Sequence, residues 1–551
     1  MSDMTKTEDS GPGLKTVVMA SAAGTAFEWY DFFVFASLTA VIADKFYADV
    51  GGTTAYILTL LLFGVGFVVR PLGALVFGWF GDRTGRKKTF LVTITLMGVA
   101  TVAIGLLPTY DQIGIVAPLL LLVMRVAQGF ALGGEYGGAA IYVAEHSPRE
   151  KRGFMTGWIQ TTAALGLIGA LGVILACRTV LGNEAFNDWG WRLPFLLSAL
   201  LLVISLWIRL KLDESPAFRR MEAEGGERRA PMREAFLQWK NARFVLLALF
   251  GIMVAQGAVW YCGYFYSRFF MERVLKVEVA TVDMIMFWLT VASAGLYVFF
   301  GWLSDKVGRK PVMLFGMILA LVAFFPGFQA LTRAANPALA EAQATSPVTV
   351  LADPAACALQ FDPIGKTAFA SSCDIAKSVL SNAGVSYENV AAAPGSVAVV
   401  RIGATEITSV EATGLPAAEL KAARTEVEGR LKAALNAAGY PDRADPARID
   451  LPMTFAIMMI FILAATALYG PQAAALVELF PTRVRYTAMS VPYNIGTGWV
   501  GGLLPAASFA LVAWSGNIYF GLWYSVAFTA IAAVVALIWL PETKGRDLDA
   551  I

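Results

Sequence analysis

Twelve long apolar stretches recur along the chain, near 16–43, 54–79, 89–108, 114–143, 154–180, 193–210, 244–271, 280–303, 311–332, 452–477, 486–513 and 518–540. Roughly 20 apolar residues of helix cross a hydrocarbon core, so each stretch is expected to span a bilayer. Composition agrees, because 57% hydrophobic against 15% charged residues is too apolar for a soluble domain. The polar leader Met1–Lys15 precedes a run longer than the apolar core of a signal peptide, which predicts a retained first helix. The net charge of +2 is small and no basic stripe is present, so nucleic acid is not an expected partner.

Lysine and arginine are shared unequally between the short loops. Those after the second, fourth, eighth and tenth runs hold Arg83, Arg86, Lys87, Lys88, Arg149, Lys151, Arg152, Lys306, Arg309, Lys310, Arg483 and Arg485. The opposite short loops hold only Lys45, Arg178, Arg192, Arg273 and Lys276. By the positive-inside bias, the richer loops, both termini and the linker 211–243 are expected in the cytoplasm.

Two of those loops are copies. Gly78–Lys88 reads GWFGDRTGRKK and Gly301–Pro311 reads GWLSDKVGRKP. A second landmark repeats too: Glu145, Pro148 and Arg152 match Glu478, Pro481 and Arg485 in spacing. The first pair of copies is offset by 223 residues and the second by 333, so an insertion of 110 residues lies between the ninth and tenth runs. The chain therefore divides into an N-terminal half 1–210, the linker 211–243, a C-terminal half 244–332 with 451–551, and an insertion 333–450. Taken alone, GDRTGRKK would suit a phosphate or lipid headgroup. Its echo at matching helix ends points instead to a conformational latch made of Gly78, Asp82, Arg83, Gly85 and Arg86, of Asp305, Gly308 and Arg309, and of Glu145, Arg152, Glu478 and Arg485.

Inside the insertion, SPVTVLAD and SVAVVRIG read as strands. CDIAKSVLSNAG and PAAELKAARTEVEGRLKAALNAAG read as helices ended by Gly. A small α+β domain outside the membrane is expected, with Cys357 and Cys373 either joined in an oxidising compartment or free.

Polar groups within apolar runs are costly in lipid and mark functional candidates. Glu28 and Asp31 share one face of the first helix at i, i+3, either as paired structural carboxylates or as proton and substrate handlers. Arg70, beside the helix-breaking Pro71, needs an acid partner or an anionic ligand. Arg125 and Gln128 are again i, i+3, followed by a glycine series and by Glu135 and Tyr136. The glycines suit close helix approach. Gln256 and Trp260 share a face of the seventh helix, and Tyr493 and Asn494 precede a Gly-rich segment of the eleventh. The single histidine, His146, lies in a loop, so a histidine metal site is not expected. Neither a nucleotide loop nor a nucleophile with a positioned base is visible, so an enzyme is not expected.

GTAFEWYDFFVF, VVRPLGALVFGWFGDRTGRK, RVAQGFALGGEYGGAA, DWGWRLPF, LDESPAF and ELFPTRVRYT together resemble the metabolite:proton symporter family of the major facilitator superfamily. The resemblance implies an all-α polytopic fold of twelve transmembrane helices in two six-helix halves, with the α+β insertion between helices nine and ten as an extra. It implies a monomeric inner-membrane carrier with no cofactor and the proton as coupling ion. A small carboxylate would bind at Arg70, Arg125, Gln128, Tyr136, Gln256, Trp260, Tyr493 and Asn494. Glu28 or Asp31 would carry the proton close to Arg70 or Arg125. A zwitterionic osmolyte caged by Trp29, Tyr30, Trp260 and Tyr261 is the alternative ligand. A membrane sensor whose outer domain binds ligand is the alternative class. No partner for the outer domain is implied.

Overall fold

A computed structural model describes residues 14–47, 52–210, 214, 219, 231–358 and 369–548. Its membrane helices are α1 Leu14–Ser37, α2 Gly52–Thr84, α3 Arg86–Leu106, α4 Val116–His146, α5 Arg152–Leu181, α6 Leu193–Leu210, α7 Trp239–Val274, α8 Val279–Val307, α9 Arg309–Ala335, α10 Leu451–Val477, α11 Arg485–Val512 and α12 Leu522–Trp539. Eleven of them are long and apolar enough to cross a membrane by length and composition among the described residues, and α1 is the twelfth. The first apolar run breaks near Leu38 and resumes as a short helix, Thr39–Phe46.

The duplicated motif makes the same turn twice. Gly85 between α2 and α3 has φ 107°, and Gly308 between α8 and α9 has φ 111°. Side chains rarely adopt that region, so glycine at the start of each Gly-Arg-Lys cluster is what lets one long helix fold back into the next.

Glycine also sets the spacing of the bundle. A side chain at Gly133 would meet the Arg70 carbonyl at 2.2 Å, one at Gly129 the Gly66 carbonyl at 2.2 Å, and one at Gly73 the Phe130 carbonyl at 2.0 Å. Backbone of α2 thus lies directly on backbone of α4. Across the halves, Gly153 of α5 meets Gly301 of α8, and within the C-terminal half Gly257 of α7 meets Gly496 of α11. Helices without a hydrophobic drive between them pack through such small residues. Both α7 and α11 contain π-helical turns, at Leu249–Met253, Cys262–Tyr266, Phe270–Val274 and Ile495–Gly501. Such turns cluster at functional sites.

The insertion folds as a four-stranded sheet in the order β2-β1-β3-β4, with β1 Val348–Ala352, β2 Tyr387–Ala391, β3 Val399–Ile402 and β4 Thr405–Thr408. β1 pairs parallel with β2 and antiparallel with β3. Helices Ser372–Ala383 and Ala417–Ala437 contribute Ile375, Leu380, Val427 and Leu431 to a core with Val348, Val350, Val400 and Ile402. Cys357 and Cys373 are disulfide-bonded, with Cα atoms 5.3 Å apart. The domain is fastened to the C-terminal half: Tyr387 N donates to the Gly516 carbonyl (2.8 Å), and Ala444 N to the Lys276 carbonyl (3.1 Å). The N-terminal leader and most of the linker 211–243 lie outside the described residues.

Candidate substrate and coupling site

Arg70 occupies the middle of α2 and is 3% exposed. Its guanidinium carbon lies 4.5 Å from the centroid of Phe67 and 5.1 Å from that of Phe32. The Tyr261 hydroxyl of the opposite half faces it, and Tyr493 is within electrostatic reach. No carboxylate pairs with Arg70 among the described residues, and its Nε and Nη2 have no hydrogen-bond partner there.

An aromatic wall continues from this cation across the boundary between the halves. Tyr136 of α4 stacks on Tyr493 of α11 with centroids 3.7 Å apart and planes at 4°. The Tyr136 hydroxyl accepts from Gln160 Nε2 (2.7 Å) and Gln472 Nε2 (3.2 Å). Tyr469 and Tyr493 share a hydroxyl contact of 3.2 Å, and Trp260 Nε1 donates to the Tyr297 hydroxyl at 2.8 Å. Gln160, Gln256, Gln472 and Asn494 each keep a buried side-chain oxygen without a partner among the described residues. Buried polar atoms are nearly always satisfied, so this concentration of open acceptors and Arg70 donors has the capacity to take up a polar ligand or water.

Several sequence candidates have different surroundings from those expected. Glu28 pairs with neither Arg70 nor Arg125: its Oε1 accepts from Arg209 Nη1 at 3.1 Å. Arg209 reaches it from the end of α6 over Gly24, where a side chain would lie 2.3 Å from the guanidinium. Asp31 accepts from the Ser198 hydroxyl and faces Thr101. Arg125 donates to Gln128 Oε1 (2.6 Å), stacks 4.0 Å over Phe35, and through Gln128 Nε2 connects to the Thr101 hydroxyl (2.8 Å). Asn494 ties the halves together by donating to the Gly133 carbonyl (2.9 Å). Trp29 and Tyr30 do not join Trp260 and Tyr261. Trp29 packs on Phe33 and against Gly166, and the Tyr30 hydroxyl donates to the Pro194 carbonyl.

At the motif-bearing end the halves are clasped by four acids. Asp82 accepts from the first backbone N–H groups of α11, Tyr486 N (3.1 Å) and Thr487 N (2.9 Å), while Gly78 seats the Thr487 backbone. Asp305 does the same for α5 through Gly153 N (2.9 Å) and Phe154 N (2.7 Å), and also pairs with Arg309 at 2.6 Å. A carboxylate at a helix N-terminus meets unsatisfied N–H donors and the positive end of the dipole. Glu478 holds Arg152 of the other half (2.8 Å), and Glu145 holds Arg485 (2.6 Å). Arg83 instead stacks on Trp79 of its own helix, and the Arg86 side chain lies outside the described residues.

Comparison with known proteins decides the family. The profile described as "Sugar (and other) transporter" matches residues 16–231 and 443–551, more than half of the chain. The chain belongs to this transporter family of the major facilitator superfamily. Among similar proteins, an inner membrane metabolite transport protein of Escherichia coli (strain K12) is 38% identical over 329 residues, covering 59% of this chain and 74% of the relative. The shikimate transporter of the same strain is 33% identical over 323 residues, covering 58% and 72%. The proline/betaine transporter of that strain is 35% identical over 325 residues, and the match spans 57% of this chain but only 64% of that relative's length. In three dimensions the transporter resembles the proton:xylose symporter XylE bound to 6-bromo-6-deoxy-D-glucose, with TM-score 0.61 at 15% identity over 97% of this chain and 98% of the other. The inward-open XylE from E. coli gives 0.52.

Sequence reasoning missed Arg209, Ser198, Thr101 and Gln160 in this transporter. Arg209 sits at a helix end, where arginine ordinarily snorkels to the surface. Gly24, one turn before Glu28, was the available signal that something bulky must pass there.

Proposed function

We propose that this transporter takes up a small carboxylate together with a proton across the bacterial inner membrane by alternating access. The observation that supports the reading is Arg70, a permanent cation buried between the halves with open donors and no acid beside it among the described residues. A substrate carboxylate would satisfy both donors in the bidentate geometry that guanidinium favours. Open amide oxygens of Gln160, Gln472 and Asn494 would accept from hydroxyl or ammonium groups elsewhere on the ligand.

Proton coupling is assigned to Asp31 and Glu28. Phe32, next to Asp31 in α1, lies under both Arg70 (5.1 Å) and Arg125 (5.8 Å). A ligand that draws Arg70 off the Phe32 face changes how α1 seats, and with it the Ser198 and Thr101 contacts of Asp31. The coupling therefore runs through packing and the Arg125–Gln128–Thr101 chain rather than through a direct bond between either acid and Arg70 or Arg125. Asp82 and Asp305 act as latches that favour the state closed toward the cytoplasm.

A zwitterionic osmolyte is the second reading, favoured by the wall of Trp260, Tyr261, Tyr469 and Tyr493 beside Arg70, because aromatic faces hold an onium group where no acid is present. Proteoliposomes with an imposed inward proton gradient test both readings, using labelled shikimate against labelled glycine betaine. Gradient-driven accumulation of either that vanishes in Asp31→Asn supports symport. Full accumulation by that variant contradicts the assignment of Asp31.

A further inference from the structure

We infer that Tyr486 is the seal that keeps Glu28 from exchanging protons with the cytoplasm until the two halves part; the inference rests on the proton-coupled reading above. Tyr486 stands at the start of α11 and is fully buried. Its backbone N–H is held by Asp82, and its hydroxyl crosses to the N-terminal half to donate to the Gly134 carbonyl at 2.5 Å. The ring fills a slot that two glycines leave open. A Cβ on Gly81 would lie 2.6 Å from the ring, and one on Gly138 would lie 2.6 Å from the hydroxyl. One turn on, a Cβ on Gly137 would collide with the Ser490 hydroxyl in the same manner.

Behind the ring, on the N-terminal half, lie Phe90 and then Arg209. Phe90 touches the same Gly138 position at 3.4 Å and carries the Arg209 guanidinium 3.4 Å from its centroid. Tyr486 interacts electrostatically with Arg209, and Arg209 holds Glu28. The charged groups acting on Glu28 are Arg209 from α6 and Asp31 on its own helix, and Tyr486 of the opposite half is within electrostatic reach of Arg209. Glu28 Oε2 and Arg209 Nε and Nη2 have no partner among the described residues, which leaves capacity for water once the slot opens.

The internal repeat supplies a contrast. The residue that matches Tyr486 after Arg152 is Gly153, which fits backbone to backbone against Gly301. The aromatic seal therefore occurs at the α11 position, over the half that contains Glu28 and Asp31. While the halves are clasped, the carboxyl is cut off. When α11 swings away from α2 and α4, the ring leaves the slot, water reaches Glu28, and its proton passes to that water while the carboxylate stays paired with Arg209.

The test is proton leak in proteoliposomes loaded with a pH-sensitive dye, under an imposed gradient with no substrate present. Tyr486→Ala is expected to leak about tenfold faster than wild type, the scale of one lost buried hydrogen bond with its ring. Tyr486→Phe, which loses only the bond to Gly134, should fall between. Gly138→Ala, which evicts the hydroxyl while keeping the tyrosine, should leak like Tyr486→Ala and carries the test if that variant does not fold. Adding Glu28→Gln should return the leak to the wild-type rate. Wild-type leak in both Tyr486→Ala and Gly138→Ala, or a leak that survives Glu28→Gln, overturns the seal. Labelled proline, glycine betaine and shikimate offered to the wild-type vesicles test symport separately. If none is concentrated the symport reading falls, while the leak pattern decides the seal by itself.

Discussion

Arg70 and Arg209 are both buried arginines of the N-terminal half, 3% and 1% exposed, yet their surroundings are opposite. Arg209 has Glu28 at 3.1 Å and a glycine cleared from its path. Arg70 has two phenylalanine faces, a tyrosine hydroxyl and two donor nitrogens with no partner among the described residues. Removing a charge from water costs several kcal/mol, and a paired carboxylate recovers much of it. Arg209 is compensated from within the chain, whereas no acid among the described residues compensates Arg70. On the proposed reading, that difference separates a coupling element from a binding element.

The largest expected effect breaks the comparison on stability. Arg209→Ala leaves Glu28 buried without its cation, and thermal unfolding in detergent should show a loss of about 3–5 kcal/mol. Arg70→Ala orphans no acid among the described residues and should cost about 1 kcal/mol, the worth of its stacking on the two rings. Equal losses would mean that Arg70 has a structural partner of the same weight. A control lies in the insertion, where replacing Cys357 and Cys373 by Ala should cost that domain roughly 3 kcal/mol through the loop they close. Uptake and both arginine effects should be unchanged, and loss of uptake would draw the insertion into the transport path. The smallest effect concerns the clasp. Asp82→Asn removes a charge from the α11 N-terminus, worth about 0.3–1 kcal/mol, so transport should slow several-fold with ligand affinity intact. Lost affinity in a folded Asp82→Asn protein would end the latch assignment.

Much of the architecture was legible because membranes impose a coarse code. Apolar run length marks spanning helices, and the duplicated motif marks the halves; Gly85 and Gly308 proved to make the same positive-φ turn. β2 and β4 were missed because neither alternates apolar and polar residues, β2 being exposed beyond Tyr387. In the site, helical spacing put Glu28 and Asp31 on one face but carries no information on which helix covers that face. Their partners Arg209 and Ser198 lie 181 and 167 residues away. Arg70 was recognisable as a buried cation from its place in an apolar run. Its lack of an acid partner among the described residues became visible only once the packing of α1 had directed both carboxylates toward α6.

Ligand binding to purified wild type and Arg70→Ala, followed by thermal shift across a panel of organic acids and betaines, tests the central claim most directly. Wild type should be stabilised by at least one ligand, and Arg70→Ala, folded and eluting as the wild type does, should bind it roughly 10–100-fold more weakly. Undiminished affinity in Arg70→Ala would show that the open guanidinium is not the substrate's anchor.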